Sequence, residues 1–78
     1  MTTITISDVG CTARYTLDGD SLTMTDTGGC RDALADYGPP IDESMSDVDI
    51  AEWAEMAWCE GYEGDPEANG LAVRVERN

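Results

Sequence analysis

At 78 residues the chain has room for one domain (1–78) and one small core, which excludes a multidomain assembly and leaves little space for a substrate cleft. Seventeen acids against four arginines, with no lysine and no histidine, give a net charge of -13 and argue against direct binding to DNA or RNA. Forty-one per cent apolar residues, two tryptophans and clean periodicity argue against disorder, so the chain folds despite its self-repulsion.

Thr3 to Ser7 alternates strictly, with Ile4 and Ile6 on one face, and reads as a half-buried strand. Asp8, Val9 and Gly10 turn the chain. Thr12 to Leu17 alternates again, setting Ala13, Tyr15 and Leu17 on one face, and Asp18-Gly19 follows as a hairpin signal. A loop of Asp18 and Gly19 would oppose Tyr15 to Leu22 and Ala13 to Met24; a loop of Val9 and Gly10 would oppose Ile6 to Ala13 and Ile4 to Tyr15. Either way the apolar sets share a face, and the first third is a three-stranded meander. Its outer face, from Thr3 and Thr5 through Arg14 to Thr23 and Thr25, suits a solvated sheet surface. The strand from Ser21 to Thr25 is the expected edge, bracketed by Asp20 and Asp26 against edge pairing.

Gly28-Gly29 then breaks the pattern, and Cys30, Ala33, Leu34 and Tyr37 recur at helical spacing before Gly38-Pro39-Pro40, which predicts a short helix. Without GxGxxG, GK[ST] or nearby bases, the glycine pair is a turn and not a phosphate loop. Asp42 to Ser46 is an acidic linker. From Ser46 to Gly61 the chain makes its one long helix, capped by Ser46 or Asp47, with Ile50, Trp53, Ala54, Ala57 and Trp58 on one arc and Asp49, Glu52, Glu55 and Glu60 on the opposite one. Asp47, Asp49 and Glu52 lie near its positive end, whereas Glu55 and Glu60 gain nothing from the dipole. No base sits at i+4 to relieve them, and Met56 projects into the same acidic arc. After an acidic loop from Glu60 to Asn69, Leu71, Val73 and Val75 alternate as a closing strand, expected beside Ile4 and Ile6. The expected fold is therefore α+β: a two-layer domain of three to four antiparallel strands with two helices on one face, in the order β-β-β-α-α-β.

The charge is unevenly placed along this plan. From Asp32 to Val73 there are twelve acids and no base, while the rest of the chain holds five acids and four bases. Cys11, Cys30 and Cys59 are odd in number, widely spaced and without a CxxC pair or partner histidine, so neither a disulfide scaffold nor a structural zinc site is expected, and Cys30 and Cys59, each beside a helix stripe, are expected as buried thiols. The segment MTTITISDVG lacks the features of a signal peptide, and no stretch approaches a membrane-spanning length; a reducing cytoplasm is expected.

The usual acid-base and nucleophile constellations cannot be assembled without histidine, lysine or a partnered serine, so no enzyme and no cofactor is expected. Asp18-Gly19-Asp20 fails the EF-hand spacing at Leu22 and Thr23, and no calcium or other metal site is assigned. Nucleic-acid mimicry makes use of the charge block. Asp47, Asp49, Glu52, Glu55 and Glu60 span roughly 20 Å of helix. That is about one negative charge per 4 to 5 Å, against about one per 3.4 Å on a DNA strand. The candidate partner-binding residues are Asp47, Asp49, Glu52, Glu55, Met56, Glu60 and Glu63, and the expected partner is a basic nucleic-acid-binding protein or complex.

A tiny chain beginning MTTITI, with no lysine, the block DESMSDVDIAEWAEMAWCE and no catalytic motif, resembles the small acidic proteins of phages and mobile elements, anti-CRISPR proteins among them. The resemblance is one of size and composition over the whole chain. It implies an inhibitor that occupies a nucleic-acid channel, or a nearby surface, of an effector complex or nuclease in the host bacterial cytoplasm. A second reading is a small acidic adaptor that binds a basic partner through apolar contacts such as Met56 or Tyr62 as much as through charge. A third is a soluble domain whose acids only solvate it.

Overall fold

The structure, a computed structural model, describes residues 1–8, 10–30, 32, 34, 41–62 and 71–77. Among the described residues four strands, β1 (Thr2–Asp8), β2 (Cys11–Asp18), β3 (Ser21–Asp26) and β4 (Ala72–Arg77), and one helix, α1 (Asp47–Tyr62), follow in the order β-β-β-α-β. The strands form one antiparallel sheet in the order β3-β2-β1-β4, so the chain is α+β with β3 and β4 as edges. The closing strand lies beside β1, with Val75 opposite Ile4 and Val73 opposite Ile6. That placement follows from parity, because these residues share the apolar layer of the strand they join.

Of the second helix expected from Cys30 to Tyr37, the described residues are Cys30, Asp32 and Leu34, and among them none is helical. Ala33, Tyr37 and Gly38-Pro39-Pro40 lie outside the described residues, as does the loop from 63 to 70. Cys30, Leu34 and Ile41 are nonetheless buried, in one cluster with Tyr15 and Leu17 of the sheet and Ile50, Trp53, Ala54, Ala57 and Trp58 of α1.

The first hairpin has the expected register, with Ile6 opposite Ala13 and Ile4 opposite Tyr15. The second is displaced by two residues from the expected one. Asp18 pairs with Ser21 and Leu17 with Leu22, so the loop is Gly19-Asp20, with Gly19 at φ +61° in the first loop position. A two-residue slip keeps every side chain on its own face, so the apolar pattern is silent about it. Tertiary contact decides. The Gly19 amide donates to Glu43 Oε1 at 2.7 Å, and the Glu43 amide donates back to the Gly19 carbonyl at 2.9 Å.

Asp42 to Ser46, expected as a plain acidic linker, is thus a structural tie. Glu43 Oε2 also accepts from the Thr2 hydroxyl at 2.9 Å and pairs with the Met1 ammonium at 2.9 Å. Arg77 completes the junction by donating to the Thr2 hydroxyl, to the Glu43 and Met45 carbonyls and to Asp47. This network accounts for Thr2, a polar residue with no exposed surface on the core face of β1. The Gly19 amide first, then the Met1 ammonium and the Thr2 hydroxyl, hold the Glu43 carboxyl down to about 2, from 4.5. A carboxyl depressed by folding stabilises the native state above its unfolded value and loses that contribution as pH falls through its folded value. Glu43→Gln is therefore expected to lower the melting temperature at pH 7, with the gap to wild type closing between pH 4.5 and about 2. Comparing the pair cancels the relief of self-repulsion that acid brings to both proteins; parallel melting curves across that window would refute the assignment.

Two cysteine expectations are corrected. Cys11 and Cys30 are joined by a disulfide, with Cα atoms 5.5 Å apart, so Cys30 is not a buried thiol. The antiparallel pairing of β2 with β3, followed by the turn at Gly28 and Gly29, returns position 30 to the start of β2. Cys59 stays outside any disulfide and is half-buried on α1.

Candidate functional site

The helix starts where capping chemistry dictates. Ser46 accepts the Asp49 amide at its hydroxyl (3.2 Å), and its carbonyl accepts the Ile50 amide (3.0 Å), which makes Ser46 the N-cap. Asp47 and Asp49 then occupy the first turn, where the helix dipole favours negative charge. The helix runs one residue past Gly61, to Tyr62. Its orientation is set by the inward arc: Ile50, Ala54 and Ala57 have no exposed surface, and Trp58 is 1% exposed. Trp58 is also anchored through Nε1, which donates to Asp8 Oδ2 at the end of β1 at 3.1 Å. Two small alanines let the helix axis approach the sheet while the tryptophans fill its flanks.

With that arc turned inward, the opposite arc has to face solvent. Asp49, Glu52, Glu55 and Glu60 are all exposed, and among the described residues no arginine pairs with any of them. Asp47 is different. Arg77 Nε donates to its Oδ1 at 2.7 Å, so this carboxylate belongs to the junction with β4 and leaves the unpaired series. The anionic face is therefore four carboxylates spread over about 16 Å of helix. Glu63 lies outside the described residues.

Apolar atoms are interleaved with this charge. Met56 is 54% exposed and Val48 64% exposed, and both lie on the outward arc. Glu52, Glu55, Met56, Cys59 and Glu60 line an open groove of about 380 Å³. Val48 escaped the sequence reading, although its place one turn before Glu52 was available as a signal.

Several other acids are occupied locally. Asp26 accepts from the Gly28 amide and from Arg14, Asp32 from the Tyr15 hydroxyl, and Asp42 from the Ser44 amide and hydroxyl, which hold its carboxyl below the usual range. Arg74 pairs with Glu76 on the outer sheet face. Acid density in the sequence thus overstates the charge available to a partner, and among the described residues the outward arc of α1 carries four exposed carboxylates in series. Among the described residues no group of three or more potential ligands gathers as a metal site would, and no helix is long and apolar enough to cross a membrane. Compared with models of known protein families, with characterised proteins and with solved structures, the chain matches none.

Proposed function

We propose that this chain is an acidic protein inhibitor that binds a nucleic-acid-handling protein, such as a CRISPR effector or a nuclease, through a nucleic-acid-mimicking face on α1. The observation that carries the reading is the exposed series Asp49, Glu52, Glu55 and Glu60, with no arginine pairing among the described residues, on a helix whose opposite arc is locked into the core. A helix backbone fixed to the core presents its carboxylates to a lysine- and arginine-lined channel with only side-chain ordering left to cost, and their charge speeds encounter by steering. The partner is a basic protein of the bacterial cytoplasm, no nucleic acid is bound directly, and no catalysis is involved.

The second reading, an adaptor for a basic protein, is favoured by Met56 and Val48, whose exposed side chains would add apolar contact between the charges. One experiment separates the two. Immobilised protein is used to retain basic proteins from a bacterial lysate, and the retained fraction is challenged with duplex DNA, with guide RNA and with rising salt. Mimicry predicts displacement by nucleic acid. It also predicts that Glu52→Lys with Glu55→Lys weakens binding of the retained protein by about a hundredfold or more, with the fold unchanged by circular dichroism. Binding that survives both the reversal and 0.5 M salt, and is lost instead in Met56→Ala, would replace mimicry by the adaptor reading.

A further inference from the structure

The sheet ends in two edges of opposite character. β3 is bracketed by Asp20 and Asp26, and self-pairing about Thr23 would set Asp20 of one copy against Asp26 of the other. β4 carries charges of both signs instead, with Arg74 and Glu76 exposed on the outer face and joined by an ion pair at 3.4 Å. On its core face Val73 and Val75 are only half-buried, whereas Ile6 and Ile4, their partners on β1, have no exposed surface. The apolar layer therefore reaches this edge without being closed there, and α1 does not shut over it. Alternate residues of an edge strand turn their amides and carbonyls away from the sheet, and among the described residues no strand but β1 pairs with β4.

We propose that β4 is a docking edge for a second copy of this chain, the two β4 strands pairing antiparallel about a twofold axis at Val75 to join both sheets into one. Charge selects the register. An antiparallel pairing that keeps both apolar faces on one side must oppose residues of like parity. Centred on Arg74 it sets arginine against arginine, and centred on Glu76 it sets glutamate against glutamate. Centred on Val73 it engages only Ala72 to Arg74 of the strand. Centred on Val75 it opposes Arg74 to Glu76 of the second copy, and Glu76 to Arg74 of the second copy, on the outer face. On the core face the same register puts Val75 on the axis and Val73 opposite Arg77 of the second copy. The intrachain pair of Arg74 and Glu76 is exposed and therefore weak, so it is exchanged for two interchain pairs at little cost. Two copies that each carry a net charge of -13 approach against repulsion, so the dimer strengthens as salt screens it. That response is opposite in sign to the one expected of a basic partner on α1, and the two surfaces are distinct.

The test is sedimentation velocity on the whole chain at about 0.15 M salt, over a rising series of protein concentrations. The wild type should shift from monomer to dimer, and amide exchange by NMR should show β4 gaining protection along the series while β3 does not. Arg74→Glu alone and Glu76→Arg alone each make both interchain pairs repulsive, and each should weaken dimerisation about tenfold or more. An equimolar mixture of the two variants should recover a dimer, because each supplies the charge that the other lacks; misfolded variants could not do so. A wild type that stays monomeric up to about 1 mM would overturn the docking edge. Dimers that ignore both reversals, that are not restored in the mixture, or that protect β3 in place of β4 would overturn the pairing about Val75.

Discussion

Replacing Trp58 by alanine is expected to cost about 3 to 5 kcal/mol, most of the stability that a chain of this size possesses. Trp58 is 1% exposed, lies in one cluster with Ile4, Ile6 and Tyr15, and reaches out of it through a single polar atom to Asp8. Truncation removes the largest buried side chain of α1 and leaves a cavity that the two alanines beside it cannot fill. Trp58→Phe separates the contributions. It keeps most of the buried area and gives up the hydrogen bond, for about 1 to 2 kcal/mol. Urea unfolding followed by far-ultraviolet circular dichroism measures both; a Trp58→Ala protein within 1 kcal/mol of wild type would mean that α1 is not anchored as described. The consequence reaches the proposed binding face, because a helix released from its anchor no longer holds its outward carboxylates in line.

Gly28→Ala is expected to be nearly as damaging, for a different reason. Gly28 has φ +53°, and a Cβ there would sit 1.6 Å from the Thr12 carbonyl oxygen and 2.6 Å from its carbon. Both neighbours are backbone, so no side chain can swing aside; β2 and the corner after β3 have to part. The cost is about 3 kcal/mol or more, combining the positive φ with a clash that only strand separation relieves. Gly19→Ala is the control. Gly19 has φ +61° but nothing within 4 Å of the added carbon, so it registers the conformational penalty alone, about 1 kcal/mol. Thermal melts of the two variants should differ by about 10 °C, and equal melts would show that the close approach to Thr12 does not exist in solution.

Both substitutions probe a corner that the sequence marks without explaining. Gly28-Gly29 reads as a turn, but that Gly28 must lie against Thr12 follows only once β2 and β3 are paired. The same pairing would have revealed the disulfide. Paired residues sum to 39 at Tyr15 and Met24 and, past the irregularity there, to 40 at Arg14 and Asp26, so position 11 falls opposite 29, one residue short of Cys30. Cysteine spacing in the chain carried no such information, and the register it needed was itself two residues from the expected one.

The candidate site was legible to the extent that it depends on one helix. Ile50, Trp53, Ala54, Ala57 and Trp58 recur at helical spacing, and burial of that arc obliges Glu52, Glu55 and Glu60 to face water. Asp47 sits among them by the same arithmetic, yet it belongs to Arg77, a residue 30 positions away that only the pairing of β1 with β4 brings to the helix entrance.

Alternation and helical periodicity are local properties, so the strands, the long helix, the closing strand beside β1 and the face each residue takes could be read from the chain alone. The register of the second hairpin, the Cys11–Cys30 bond, the role of Glu43 as the tie between loop and sheet, and the pairing that removes Asp47 from the anionic face depend on contacts that the local pattern does not carry. A slip of two residues leaves every local pattern intact, and only contact across the folded core distinguishes one arrangement from the other.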